Sequence, residues 1–225
     1  KLCWDLIDAS KASSNPVEKI VVQYKSWMRL LQKASVGLLS SSSQKGLIGE
    51  LLYLEELINK IGEATAIKAW GGPEASDQDC IFENTWTEIK TTSIASDAVT
   101  ISSIQQLDCS ENGHLIVYFM DKTSSKGQIT ISLPEMTARV KVLLSVQYHD
   151  EFSCKLAKSG YFDKDAEHYE ADRYRLAEKR TYIVDSAFPR LIRNNIPAEI
   201  ANARYELCLT AIDAHRVRRT RNGCT

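Results

Sequence analysis

The stretch Ser76-Asp77-Gln78-Asp79-Cys80-Ile81-Phe82-Glu83-Asn84-Thr85-Trp86-Thr87-Glu88-Ile89-Lys90-Thr91-Thr92 constrains this chain most, because it holds two strand-like runs joined by a polar turn. Side chains alternate faces along a strand, so Glu88 and Lys90 share a face while Ile89 between them turns into the core. With Asp79 on the preceding run, the pair forms a place where a divalent cation and a phosphate can meet.

Upstream, Gly46 to Ile61 reads as an amphipathic helix, with Leu47, Leu51, Leu54, Ile58 and Ile61 recurring at helical spacing. At about 100° per residue, Glu50 falls between Leu57 and Ile61, inside the apolar face, whereas Glu55 and Glu56 fall toward the other side. Burying an unpaired charge is costly, so Glu50 has to meet a cation, a strong donor or a water-filled cleft. A salt-bridged or dipole-stabilised glutamate near the helix start is the alternative.

Periodicity and chain breakers set the other elements. Residues 1–45 form a helical lead-in carrying Leu2, Leu6, Ile7, Ile20, Tyr24, Trp27, Met28 and Leu31, with Pro16 at a helix start and Ser40-Ser41-Ser42-Ser43 as a flexible loop. Ala66 to Trp70 is expected as a short strand or its approach, and Gly71-Gly72-Pro73 as a break. Val99 to Ser102 alternates as a strand, after which Ser102 or Ser103 caps a helix beginning near Ile104. His114 to Met120 reads as a strand covered on both faces, and Gln128 to Leu133 as another. Pro134 opens a helix, and a second from Asp150 to Lys158 closes at Gly160. The charge-dense residues 163–179 read as a lid or appendage. Thr181 to Asp185 and Ala203 to Ala211 read as late strands, with Phe188-Pro189-Arg190 between them. A core with C-terminal elaboration thus spans 46–213, followed by a basic tail over 214–225.

At 225 residues, 44% hydrophobic and 25% charged, the composition excludes disordered and fibrous classes. No apolar run approaches the roughly 20 residues that span a bilayer, and the start lacks a signal-peptide pattern, so a cytoplasmic protein without a membrane partner is expected. The first residue is Lys1, which leaves room for an upstream domain. Six cysteines without a CxxC pair suggest buried free thiols instead of structural zinc or a disulfide framework. A net charge of −1 argues against indiscriminate coating of nucleic acid and leaves room for a local basic groove.

Metal-dependent phosphodiester hydrolysis needs oxygen ligands for a hard cation, a polarised water and positive charge on the phosphate. Asp79 and Glu88 supply oxygens, the Ile89 carbonyl can complete the shell, and Lys90 can orient the water or offset phosphate charge. Asp79 is preferred to Asp77 because Cys80-Ile81-Phe82 follows it directly; Asp77 stays the alternative. The four histidines show no ligand spacing, and Ser102 and Ser103 lack a serine-hydrolase elbow. Trp70 and Trp86 read as packing residues. Arg216, Arg218, Arg219 and Arg221 read equally as phosphate contacts or a solvated terminus.

The order of Glu50 on a helix, Asp79 at a strand start and Glu88-Ile89-Lys90 on the next strand resembles the PD-(D/E)XK nuclease superfamily. Beyond that core the chain is similar to a bacterial family of PD-(D/E)XK members. The matching stretches include Gly46-Leu47-Ile48-Gly49-Glu50-Leu51, Trp70-Gly71-Gly72-Pro73, Glu88-Ile89-Lys90-Thr91-Thr92, Ile101-Ser102-Ser103 with Gln106-Leu107, Gly160-Tyr161 and Phe188-Pro189-Arg190. The Pro-Asp dipeptide of the superfamily's name is absent, since Pro73 stands well before the acidic pair.

The resemblance implies a restriction-endonuclease-like α/β fold, a central mixed sheet flanked by helices, with extra helices at the N-terminal side and in the C-terminal half. It implies a deoxyribonuclease using Mg²⁺, with Mn²⁺ able to substitute. Asp79, Glu88 and Glu50 would be at the metal, Lys90 at water and phosphate, and Gln106, on a helix after the third core strand, facing the site. DNA as partner, a homodimer, and a role in bacterial defence with a partner protein also follow from the resemblance. Two other readings compete with it. One is a nucleic-acid-binding or assembly module that keeps the fold without catalysis, and the other is an exposed Glu88–Lys90 charge ladder.

Overall fold

The computed structural model describes residues 16–17, 37–71, 77–124 and 129–218. Pro16 and Val17 are helical; the other apolar positions of the helical lead-in lie outside the described residues, as do Gly72, Pro73, Gln128, Arg219 and Arg221.

Helix α1 (Ser41–Ile61) begins before its apolar stripe does. The Ser40 hydroxyl accepts from the Ser43 N–H at 3.1 Å, so the serine run is an N-cap and first turn, not a flexible loop. Leu47, Leu51, Leu54 and Ile58 are buried as the spacing requires, while Ile61 in the last turn is 38% exposed. Gly62 closes the helix at φ +84°, returning its N–H to Ile58 O. The chain then enters α2 (Glu63–Ala69), so the strand expected at Ala66 to Trp70 is a helix followed by a single bridge from Trp70 to Cys80. A short apolar run does not distinguish strand from helix by period alone, and here the buried Ala66, Ile67 and Ala69 complete a helical layer.

The main sheet contains β1 (Cys80–Ile81), β2 (Trp86–Thr92), β4 (Gly113–Lys122) and β5 (Tyr174–Val184), in the order β1-β2-β4-β5. β1 and β5 run antiparallel to their neighbours, and the central pair β2–β4 is parallel. A separate two-stranded sheet pairs β3 (Ala98–Ile101) with β6 (Tyr205–Cys208). Residues Leu115 to Met120 of β4 are all buried, as an apolar run covered on both faces demands. Ile116, Tyr118 and Met120 meet α1, α3 (Leu133–Leu143) and α4 (Val146–Lys158) on one side. Leu115, Val117 and Phe119 meet Val99, Ile101 and Leu207 of the small sheet on the other.

Several expected elements are redrawn. Residues up to Leu133 contribute one bridge, Ile131 to Tyr174, in place of a strand, because the Ser132–Glu135 capping box starts α3 there. Helix α4 starts at Val146, ahead of Asp150, and Gly160 follows it at φ +90°. The charged segment 163–179 is not a lid: Asp163–Tyr169 is a 3-10 segment with Tyr169 buried, and from Tyr174 the chain is an eleven-residue edge strand. Its charges suit an edge, where one side of the strand meets water. That strand absorbs the one expected at Thr181 to Asp185, and β6 is shorter than the Ala203 to Ala211 run. The helix expected near Ile104 is a single 3-10 turn, Ile104–Gln106, without a side-chain cap bond from Ser103. Cys80 is a buried free thiol, but Cys208 is exposed.

Two glycines mark close approaches. A Cβ on Gly49 would stand 2.7 Å from Thr91 Cγ2, so α1 rests directly on β2. A Cβ on Gly113 would meet the Trp86 indole at 2.2 Å, so this ring lies over its register partner.

Candidate active site

β1 pairs with β2 only at Cys80↔Thr87 and Ile81↔Trp86. Beyond Thr87 the outer edge of β2 has no strand partner among the described residues, and Asp79 takes the open position by accepting the Ile89 N–H at Oδ2, 2.7 Å away. On the strand itself, Glu88 and Lys90 do share a face, with Nζ 2.6 Å from Glu88 Oε1. Lys90 also donates to Gln106 Oε1 at 2.8 Å, and the same oxygen accepts the Ser102 N–H at 2.8 Å. A 3-10 turn thus does what a helix was expected to do: it brings Gln106 to the lysine. Gln78, buried just before β1, ties this turn to the hairpin through the Gln105 carbonyl at 2.7 Å.

Glu50 arrives from the other face of the sheet. Its Oε2 accepts the indole N–H of Trp70 at 2.9 Å. Trp70 is wholly buried, packs on Phe152 of α4 with ring centroids 5.9 Å apart, and gives its carbonyl to the buried Lys155 ammonium. Lys155 also donates to Ile67 O at 3.0 Å, meeting the carbonyl end of α2 with a positive charge.

Glu50, Asp79, Glu88, Lys90 and Gln106 line one cleft of about 700 Å³, joined by Arg204 from the residue before β6. Asp77 is exposed and does not line it. Glu88 is 1% exposed, which removes the reading of an exposed charge ladder. Each carboxylate is anchored by one oxygen, to Trp70, Ile89 N or Lys90. Among the described residues no donor reaches the other oxygen of each, and Glu88 Oε2 is buried without a partner.

Burial and mutual repulsion make these acids weak. Glu50 is raised to about 8, mainly by burial and then by the Asp79 charge, against the opposing pull of Trp70 and Lys90. Asp79 is raised to about 6, mainly by burial, with the Ile89 N–H and Lys90 lowering it. Glu88 is pushed well above the usual carboxylate range by burial and by Asp79. Among the described residues no group of three or more His, Cys, Asp or Glu side chains stands as a ready metal cage.

A helical carboxylate, a strand-edge aspartate and a Glu-X-Lys strand converge here on one cleft. A family model described as "Putative PD-(D/E)XK family member, (DUF4420)" matches residues 1–210. The chain belongs to this family. Its mixed sheet flanked by helices accordingly has the restriction-endonuclease-like fold, and PD-(D/E)XK nucleases generally use divalent metals. No curated protein and no solved structure matches the chain. Among the described residues no helix is long and apolar enough to cross a membrane.

For this DUF4420 chain, residue-level reading missed three contributors. Trp70 is the packing residue it was expected to be, but it also orients Glu50; a buried indole N–H needing a partner was the available signal. The Ser102 amide and Arg204 gave none, because each reaches the cleft through pairing of β3 with β6. The basic tail is partly committed elsewhere: Arg216 pairs with Glu178 at 2.6 Å and Arg218 with Asp213 at 3.4 Å.

Proposed function

We propose that this protein is a metal-dependent phosphodiesterase that hydrolyses DNA, using Mg²⁺ with Mn²⁺ as a substitute. The observation that carries the reading is the set of three carboxylates around one cleft, each fixed by one oxygen and offering the other. Three hard oxygens, one of them buried and unpartnered, suit a small divalent cation that keeps part of its water shell. Asp79, Glu88 and Glu50 would hold it, and when bound it would supply a polarised water and charge relief at the phosphate.

The chain's own residues do the rest. Trp70 and the Ile89 N–H keep the Glu50 and Asp79 carboxylates from turning away. Lys90, held between Glu88 and Gln106, sits where it can orient a water or meet charge building on a phosphate oxygen. Gln106 has its oxygen fixed by two donors, leaving its amide N–H groups available to a water or a phosphate. A DNA substrate and a role in defence against foreign DNA rest on the superfamily resemblance.

The non-catalytic module remains the second reading, favoured by the absence of a ready three-ligand cage among the described residues. Incubation of the purified protein with plasmid, linear and single-stranded DNA and with RNA, in Mg²⁺ and in Mn²⁺, separates the two. DNA should be cut by the wild type, and Glu88→Ala or Lys90→Ala should abolish cutting while circular dichroism stays native. Cleavage by either variant at the wild-type rate would remove the assignment.

A further inference from the structure

We infer that Arg204 is the residue that grips the phosphodiester backbone of the substrate at the mouth of the cleft, a binding role that rests on the nuclease reading above. The electrostatics of the cleft set the problem. A polyanion has to approach Glu50, Asp79 and Glu88, which line the cleft together with Asp97 and Glu206. Two cationic side chains line the same cleft, Lys90 and Arg204. Lys90 is deep and committed: its side chain is 13% exposed and its ammonium is 2.6 Å from Glu88 and 2.8 Å from Gln106. Both contacts are to groups of the protein itself. Arg204 is exposed, and among the described residues neither a carboxylate nor a carbonyl pairs with it.

The fold explains its place. β3 and β6 pair with Ile101 opposite Tyr205 as the last rungs, so Ser102 and Arg204 come next on the two strands. Ser102 gives its N–H to the Gln106 oxygen that also holds Lys90. Arg204 is therefore next to the strand end from which the turn that positions Lys90 departs, and it is exposed. An unpaired guanidinium offers a fork of donors matched to phosphate oxygens and does not shift its charge with pH. Glu206, which also lines the cleft, lies within one alternation of Arg204 but makes no ion pair with it. The arginine stays free for a ligand, and the neighbouring carboxylate discourages a second phosphate on that side.

The test compares wild type, Arg204→Ala and Arg204→Lys with a fluorescent duplex DNA. Binding is read by anisotropy in Ca²⁺ across a salt series, and cleavage in Mg²⁺. Losing one phosphate contact should flatten the slope of log K against log salt by about 0.9 and weaken binding about ten-fold, at every sequence tried. In cleavage, KM should rise with kcat within about three-fold, and Arg204→Lys should recover most of the salt slope. An unchanged slope and KM in Arg204→Ala would overturn the inference while leaving the nuclease reading standing. A loss confined to kcat would also overturn it, since the arginine would then act on the reacting group. If wild type binds DNA without cutting it, the nuclease reading fails and the salt slope still decides whether Arg204 grips phosphate.

Discussion

At the scale of single residues, the site depends on donors that hold carboxylates in place. Trp70 is the sharpest case, because its ring belongs to the core while its N–H belongs to Glu50. Trp70→Phe keeps an aromatic ring against Phe152 and removes only the donor and some volume. Glu50 Oε2 would lose its anchor, and the carboxylate would sample positions unsuited to a cation. Groups that orient metal ligands typically contribute about 10- to 100-fold in affinity or activity. The expected outcome is a rise of about ten-fold or more in the Mg²⁺ concentration giving half-maximal cleavage, with a smaller change at saturating metal. A metal titration of the variant that overlays the wild type would show that the indole serves packing alone.

At the scale of elements, the decisive contact is α1 on β2. Gly49 lets the helix backbone lie against Thr91, and the next residue, Glu50, is carried to the cleft by that approach. Gly49→Ala would thrust a methyl to 2.7 Å from Thr91 Cγ2, so the Thr91 side chain, the helix or the strand must give way. Overpacking of this kind costs about 1–3 kcal/mol. Chemical denaturation should show that loss, together with a larger fall in cleavage than in stability-matched core variants. Equal falls in both would mean that the approach does not set the position of Glu50.

This contact also shows what the sequence could reveal. Strand alternation put Glu88 beside Lys90, and helical spacing put Glu50 on the wrong side of α1 for a surface charge; both are local properties with a clear period. The second half of β5 is legible as the strand expected from Thr181, whereas its first half, within the 163–179 segment expected as a lid or appendage, carries the charges of an exposed edge, which mask alternation. α2 was misread because its seven residues are too few for a period. Arg204 and the Ser102 amide depend on β3 meeting β6 across a gap of about a hundred residues, and no local pattern encodes such a meeting.

At the scale of the whole molecule, the fold brings opposite faces of one sheet to a shared edge: α1 reaches it from the helical side, Glu88 and Lys90 from the side of the small sheet. The consequence is a concentration of half-buried and buried acid that opposes folding in the absence of a cation. Glu50 is raised from 4.5 to about 8 and Asp79 from 3.8 to about 6. A carboxyl group with a folded pKa above its unfolded value favours folding while protonated. Its contribution is complete below the unfolded value and is lost as pH rises through the folded one. Metal-free protein should therefore lose thermal stability across the window from about pH 4 to about pH 8. Glu50→Gln, which keeps an acceptor for Trp70, should melt like wild type near the bottom of that window and above it near the top. Saturating Mg²⁺ or Mn²⁺ near pH 8 should raise the wild-type Tm, because a ligand that binds only the folded state stabilises it, and should raise that of Glu50→Gln less. Thermal scans with EDTA or metal across this range test both halves. A Tm of the metal-free wild type that tracks Glu50→Gln at every pH would show that these carboxylates do not strain the empty fold.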